Sequence, residues 1–80
     1  MRTGSDPEGS AMREEAADAL VRALDELSHD HRVAFVLCEV EERTSSEVAA
    51  IIGAPEGTVR TRLFHAKKKL RESLEAAGVR

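Results

Sequence analysis

Arg60, Thr61, Phe64 and His65 stand one and four positions apart, and Arg62, Lys67, Lys68, Lys69 and Arg71 lie among and after them. On an α-helix each residue turns about 100° from the last, so the first four share one outward-facing surface. Their side chains are a forked guanidinium, a hydroxyl, an apolar ring and an imidazole, which suit the donors, acceptors and methyl groups on base edges in a duplex major groove. The five further cations are natural partners for phosphates, which supply most of the affinity in such contacts. Phe64 has a second place open to it, completing a core from the edge of the helix seam. The helical step favours the outer face, where its ring would pack on a thymine methyl. In most sequences the lysine run would be a solvated face; at the end of a base-reading helix it reads as a phosphate strip.

Two helices must hold that surface. Thr44 and Glu47, three apart, form a capping box that starts a short third helix. Val48, Ala49, Ile51 and Ile52 face inward, and Gly53 ends the helix by accepting a left-handed backbone. Pro55 suits the opening of a fourth helix from about residue 56 to residue 77, with Gly78 as its stop. Val59, Leu63, Ala66, Leu70 and Leu74 form its seam. Ala49, Gly53 and Val59 meet the demands of a helix-turn-helix: a small residue at the crossing, a glycine in the turn and an apolar contact beyond it.

Upstream, Ala17, Leu20, Val21, Leu24 and Leu27 recur at spacings of three and four and predict an amphipathic helix over residues 13–27. Ser28 caps a second helix with Asp30 in its first turn and Val33, Val36, Leu37 and Val40 as its buried stripe. Residues 1–12 mix Gly, Ser, Pro and Asp and read as a disordered lead or linker remnant. The expected architecture is an all-α, four-helix domain over residues 13–78 with a C-terminal helix-turn-helix.

Eighty residues support one small domain. A lone Cys38 excludes an internal disulfide framework and fits a reducing compartment. No apolar run nears the roughly 18 residues of a membrane span, so a soluble cytoplasmic chain is expected. The net charge of −3 hides a segregation: residues 1–56 carry five basic against thirteen acidic side chains, a balance of −8, and residues 57–80 carry seven against two, a balance of +5. Screening beyond roughly 10 Å lets DNA feel the local basic face rather than the total.

His29, His31 and Cys38 invite a metal reading, but two helical residues two apart point to opposite sides, and no metal or other cofactor is expected. Cys38 reads as a small packed residue. No Gly-rich phosphate loop, activated nucleophile or paired carboxylates appear, so the chain is read as non-catalytic.

The stretch ALDELSHDHRVAFVLCEVEERTSSEVAAIIGAPEGTVRTRLFHAKKKLRESL resembles region 4 of bacterial sigma factors, in particular the extracytoplasmic-function group, over roughly residues 19–74. GTVRTRL, followed at a short interval by an alanine and basic residues, is the most specific part. The resemblance implies recognition of the minus-35 element of double-stranded promoter DNA, attachment to RNA polymerase core through the beta-subunit flap, and masking by an anti-sigma factor. By position it also implies base contacts from Arg60, Thr61, Phe64 and His65, with Thr58 and Arg62 among the backbone contacts. His65 departs from the pattern, standing where an arginine is usual, and an imidazole cannot make the bidentate guanine contact of a guanidinium.

Two other readings compete. In one, the same fold binds an anti-sigma factor and never reads DNA, which would account for the acidic first part. In the other, the chain is an autonomous four-helix regulator that dimerises through its last helix; the seam already uses Leu70 and Leu74, so a monomer is expected. The linker-like start reads as the join to a longer chain.

Overall fold

The computed structural model describes residues 7–78, with side chains from residue 13 onward, and these residues are helical without a strand. α1 (Pro7–Glu26) is followed by α2 (His29–Phe35), a π-helical turn (Val36–Val40), α3 (Ser45–Ile52) and α4 (Glu56–Ala76). The long α4 packs against each of the other three helices.

α1 begins at Pro7 rather than near residue 13. Proline is at home in a first helical turn, where its missing N–H and fixed φ cost nothing, and Ala11 and Met12 are good helix formers that carry the turn forward. The helix thus takes in residues 7–12 of the stretch read as a disordered lead or linker remnant, and residues 1–6 lie outside the described part.

The buried face of α1 also differs from expectation. Ala19, Ala23 and Leu27, spaced by four, face the core, whereas Ala17 is exposed, Leu24 is half-buried, and Leu20 and Val21 are 36% and 57% exposed. Alanines let two helix backbones approach closely, so α1 turns its small residues toward α4 and leaves part of its larger apolar stripe outside. Ala23 and Leu27 pack with Ala66 and Leu70 of α4, and Leu24, Phe35 and Leu74 close over them. Ser73 donates a 2.9 Å hydrogen bond to Glu26 at this contact.

α2 starts where the sequence places it, with the Ser28 hydroxyl accepting from the His31 backbone N–H at 3.3 Å. Its continuation widens into the π turn: the Glu41 N–H reaches back to the Val36 carbonyl at 3.0 Å, five residues away. The extra residue per turn rotates the end of the expected stripe and Val40 is 63% exposed, while upstream in α2 Ala34, not anticipated, is fully buried. Glu42 then turns the chain with φ at +58°.

α3 follows expectation closely. The Thr44 hydroxyl accepts from the Glu47 N–H at 3.0 Å, and the Glu47 carboxylate accepts from the Thr44 N–H at 2.9 Å. Gly53 closes the helix at φ +69°, its N–H donating to the Ala49 carbonyl. Val48 of α3 and Val59 of α4 are both wholly buried, while Ala49 is only half-buried and Ile51, expected to face inward, is 54% exposed. Three residues, 53–55, separate the two helices, and α4 opens on Pro55 with extended backbone.

Candidate nucleic-acid interface

α4 is divided lengthwise by its core contacts. Val59, Ala66 and Leu70 are buried, with Leu63 and Leu74 half-buried beside them. Taking about 100° per residue, Thr61 and Lys68 stand opposite that stripe, Arg60, Phe64 and Arg71 flank them on one side, and His65 and Lys69 on the other. All seven side chains are exposed. The four expected base-contact residues therefore do form one surface, and three of the expected phosphate partners, Lys68, Lys69 and Arg71, extend it.

Arg62 and Lys67 do not join that surface freely. They stand at the two borders of the buried stripe, and each meets a carboxylate from the preceding helical unit. Arg62 lies 3.7 Å from Asp30 of α2, and Lys67 lies 3.0 Å from Glu39 of the π turn. Both pairs tie α4 to α2 and its extension. Thr58 is half-buried in the first turn, where its N–H donates to the Pro55 carbonyl at 3.0 Å.

Arg60 is held too, by Glu56 one turn earlier on the same helix, with the guanidinium donating to the carboxylate at 2.7 Å. Sequence reasoning missed this latch, although an acid four residues before an arginine on a helix is a direct signal for it. It also missed Asp30 and Glu39 as partners, for which local spacing offers no signal because the contacts join separate elements.

Phe64 is 64% exposed, and its ring meets that of His65 at an interplanar angle of 64° with centroids 5.6 Å apart. Across from His65, on α2, stands His31, the two rings tilted with centroids 5.9 Å apart. Cys38, half-buried in the π turn, is a free thiol. Burial pushes its pKa up, the neighbouring Glu39 adds to the rise, and Lys67 opposes it. The thiol is thus held protonated near neutral pH. No group of three metal-ligating side chains occurs among the described residues, and none of their helices is long and apolar enough to cross a membrane.

This arrangement, a short capped helix crossing a long one whose outer face is basic, is the architecture of a helix-turn-helix. The Sigma-70, region 4 family matches residues 17–70, and the chain belongs to that family, within its extracytoplasmic-function group. It is 36% identical over 66 residues to the ECF RNA polymerase sigma-E factors of Escherichia coli K12 and of Salmonella typhimurium LT2, a match covering 82% of this chain. It is 40% identical over 55 residues, 69% of its length, to the ECF RNA polymerase sigma factor SigE of Mycolicibacterium smegmatis. The match spans 35% of the length of the first two relatives and 21% of the third.

Proposed function

We propose that this chain reads the minus-35 element of promoters as the region 4 domain of an extracytoplasmic-function sigma factor, working by binding rather than catalysis in the cytoplasm. RNA polymerase core would carry it through the beta-subunit flap. The observation that supports this most is the outer face of α4, where Arg60, Thr61, Phe64 and His65 stand exposed together and Lys68, Lys69 and Arg71 continue the face. Phe64 adds weight, since an aromatic ring left 64% in water amid polar groups suits the methyl of a thymine.

Three unpaired cations on one helix neutralise few phosphates. The isolated chain is therefore expected to bind duplex DNA weakly, in the non-specific range of roughly 10⁻⁴ to 10⁻⁶ M, and to depend on polymerase for the rest. Transcription reconstituted with core polymerase and a sigma factor carrying this domain tests the reading. Arg60→Ala or Phe64→Ala should lower promoter selectivity by about 1–3 kcal/mol at the contacted base pair, as read by base substitution in the minus-35 element. Wild-type selectivity in both variants would sink the proposal.

A second reading has one observation in its favour. Leu20 and Val21 lie exposed on α1 beside the acidic residues Asp18 and Asp25, a surface suited to a protein partner such as an anti-sigma factor. If this domain, grafted onto a sigma region 2, captured an anti-sigma factor yet supported no promoter activity, interaction without DNA reading would be the better account.

A further inference from the structure

An open cleft of about 620 Å³ lies between α2 and the beginning of α4. His31 enters it from α2; Thr58, Thr61, Arg62 and His65 line it from α4, along with the bare backbone of Gly57. Every one of these side chains can donate a hydrogen bond, and no carboxylate lines the cleft. Neither imidazole makes a hydrogen bond to a described residue, although His31 is half-buried. The two rings come from different helices and stand 5.9 Å apart by centroid, too far to bond each other and close enough for one tetrahedral anion to accept from both.

The surrounding charges favour the same sign of ligand. From α2, Asp30 lies 3.7 Å from Arg62 but outside the cleft lining. From α4, Glu56 is engaged with Arg60 at 2.7 Å. No charged side chain of α1 or α3 lines the cleft. A cation would find two imidazoles and no third ligand, since no group of three metal-binding side chains exists among the described residues.

We propose that this cleft is a phosphate-binding site in which His31 of α2 joins His65 and Arg62 to hold one backbone phosphate of bound duplex DNA. The assignment to DNA rests on the reading of α4 given above; the anion site itself does not. His65 then faces the phosphate strand rather than a base edge, which gives a physical role to an imidazole at a position where a guanidinium would be able to read guanine. His31 extends the DNA contact beyond the helix-turn-helix onto the preceding helix.

The test uses the 80-residue chain with a short fluorescent duplex and, separately, inorganic phosphate. His31→Gln keeps the cap, because Ser28 accepts from the backbone N–H of residue 31 and not from its ring. This variant should bind the duplex about threefold more weakly and lose up to about one unit from the slope of log affinity against log salt. His31→Arg should recover both the affinity and the slope. Inorganic phosphate should shift the imidazole resonances of both His31 and His65.

Unchanged affinity and slope in His31→Gln, with wild type binding the duplex, would overturn the assignment to DNA while leaving the reading of α4 intact. Absence of any salt-dependent duplex binding by wild type would instead count against that reading. Imidazole shifts with phosphate would still support the anion site, and their absence would overturn it. Micromolar binding of zinc across the two rings, with no response to phosphate, would overturn it as well.

Discussion

Arg60 would enter any encounter with DNA already occupied. Its guanidinium is held at 2.7 Å by Glu56, so contact with a base requires that pair to open while the carboxylate stays near the incoming phosphates. Exposed pairs of this kind are worth about 0.2–1 kcal/mol. Glu56→Gln should therefore tighten duplex binding by up to about fivefold, and do so most at low salt, in fluorescence titrations of the isolated chain. The same change removes an acid from the first turn of α4 and should cost about 0.3–1 kcal/mol of stability in urea unfolding, so affinity and stability move in opposite directions. Equal or weaker binding would mean that Arg60 takes no part. Cys38 makes a contrasting case. Its thiol is pushed toward the protonated form by burial and by Glu39, and thiolate is the reactive species. Its alkylation at pH 7 should run several-fold slower than that of the unfolded chain, and Glu39→Gln should speed it, because removing that negative charge lets the thiol ionise at lower pH.

The elements divide by how local their causes are. α3 and the opening of α4 follow from signals within a few residues: the reciprocal bonds of Thr44 and Glu47, the left-handed Gly53, and Pro55 ahead of the last helix. Those signals were legible in the sequence, and with them the face carrying Arg60, Thr61, Phe64 and His65. What was not legible depends on neighbours distant in sequence. Leu20 and Val21 look more apolar than Ala19 and Ala23, yet the close approach of α1 to α4 selects the alanines. The π turn after α2 has no local marker, and the left-handed position that ends it is occupied by Glu42 rather than glycine. Likewise Arg62 and Lys67 read as free cations until α2 and its extension bring Asp30 and Glu39 against them. Two substitutions separate these kinds of cause. Thr44→Ala removes a cap whose bonds are both in place and should cost about 1 kcal/mol in chemical denaturation. Glu42→Gly relieves a left-handed backbone that costs a side-chain-bearing residue about 1–2 kcal/mol, against about 0.5–1 kcal/mol of glycine chain entropy, and should raise stability slightly.

At the scale of the molecule, the fold is thin and long. Its Cα radius of gyration is 14.8 Å, against about 11.6 Å for a compact chain of this length, and its extents are 45 × 28 × 16 Å. The cause is the overlap of two long helices along only part of their length. From residue 13 onward, none of residues 13–18 is buried and Ala19 is the first buried side chain. Half of the eight buried apolar residues among those described are alanines, so much of the core's transfer energy must come from Leu27, Leu70, Val48 and Val59. This geometry separates two surfaces with opposite charge: the basic outer face of α4, and α1 with Asp18, Asp25, Leu20 and Val21 exposed. A domain that only bound DNA would have no use for the second surface, whereas one held by a protein partner would. Replacing Leu20 and Val21 together by glutamate should cost about 1–2 kcal/mol of stability, most of it from Leu20, which is only 36% exposed. Duplex affinity of the isolated chain should fall less than twofold, because the new charges lie on α1 and solvent screens them from α4. Association with polymerase core or with an anti-sigma factor, measured by co-sedimentation, should weaken by tenfold or more, since two apolar side chains would leave the interface and two charges would enter it. If both associations kept their wild-type strength while the fold held, the α1 strip would be excluded as a partner surface, and attachment would have to run through the exposed Val40 or Ile51 instead.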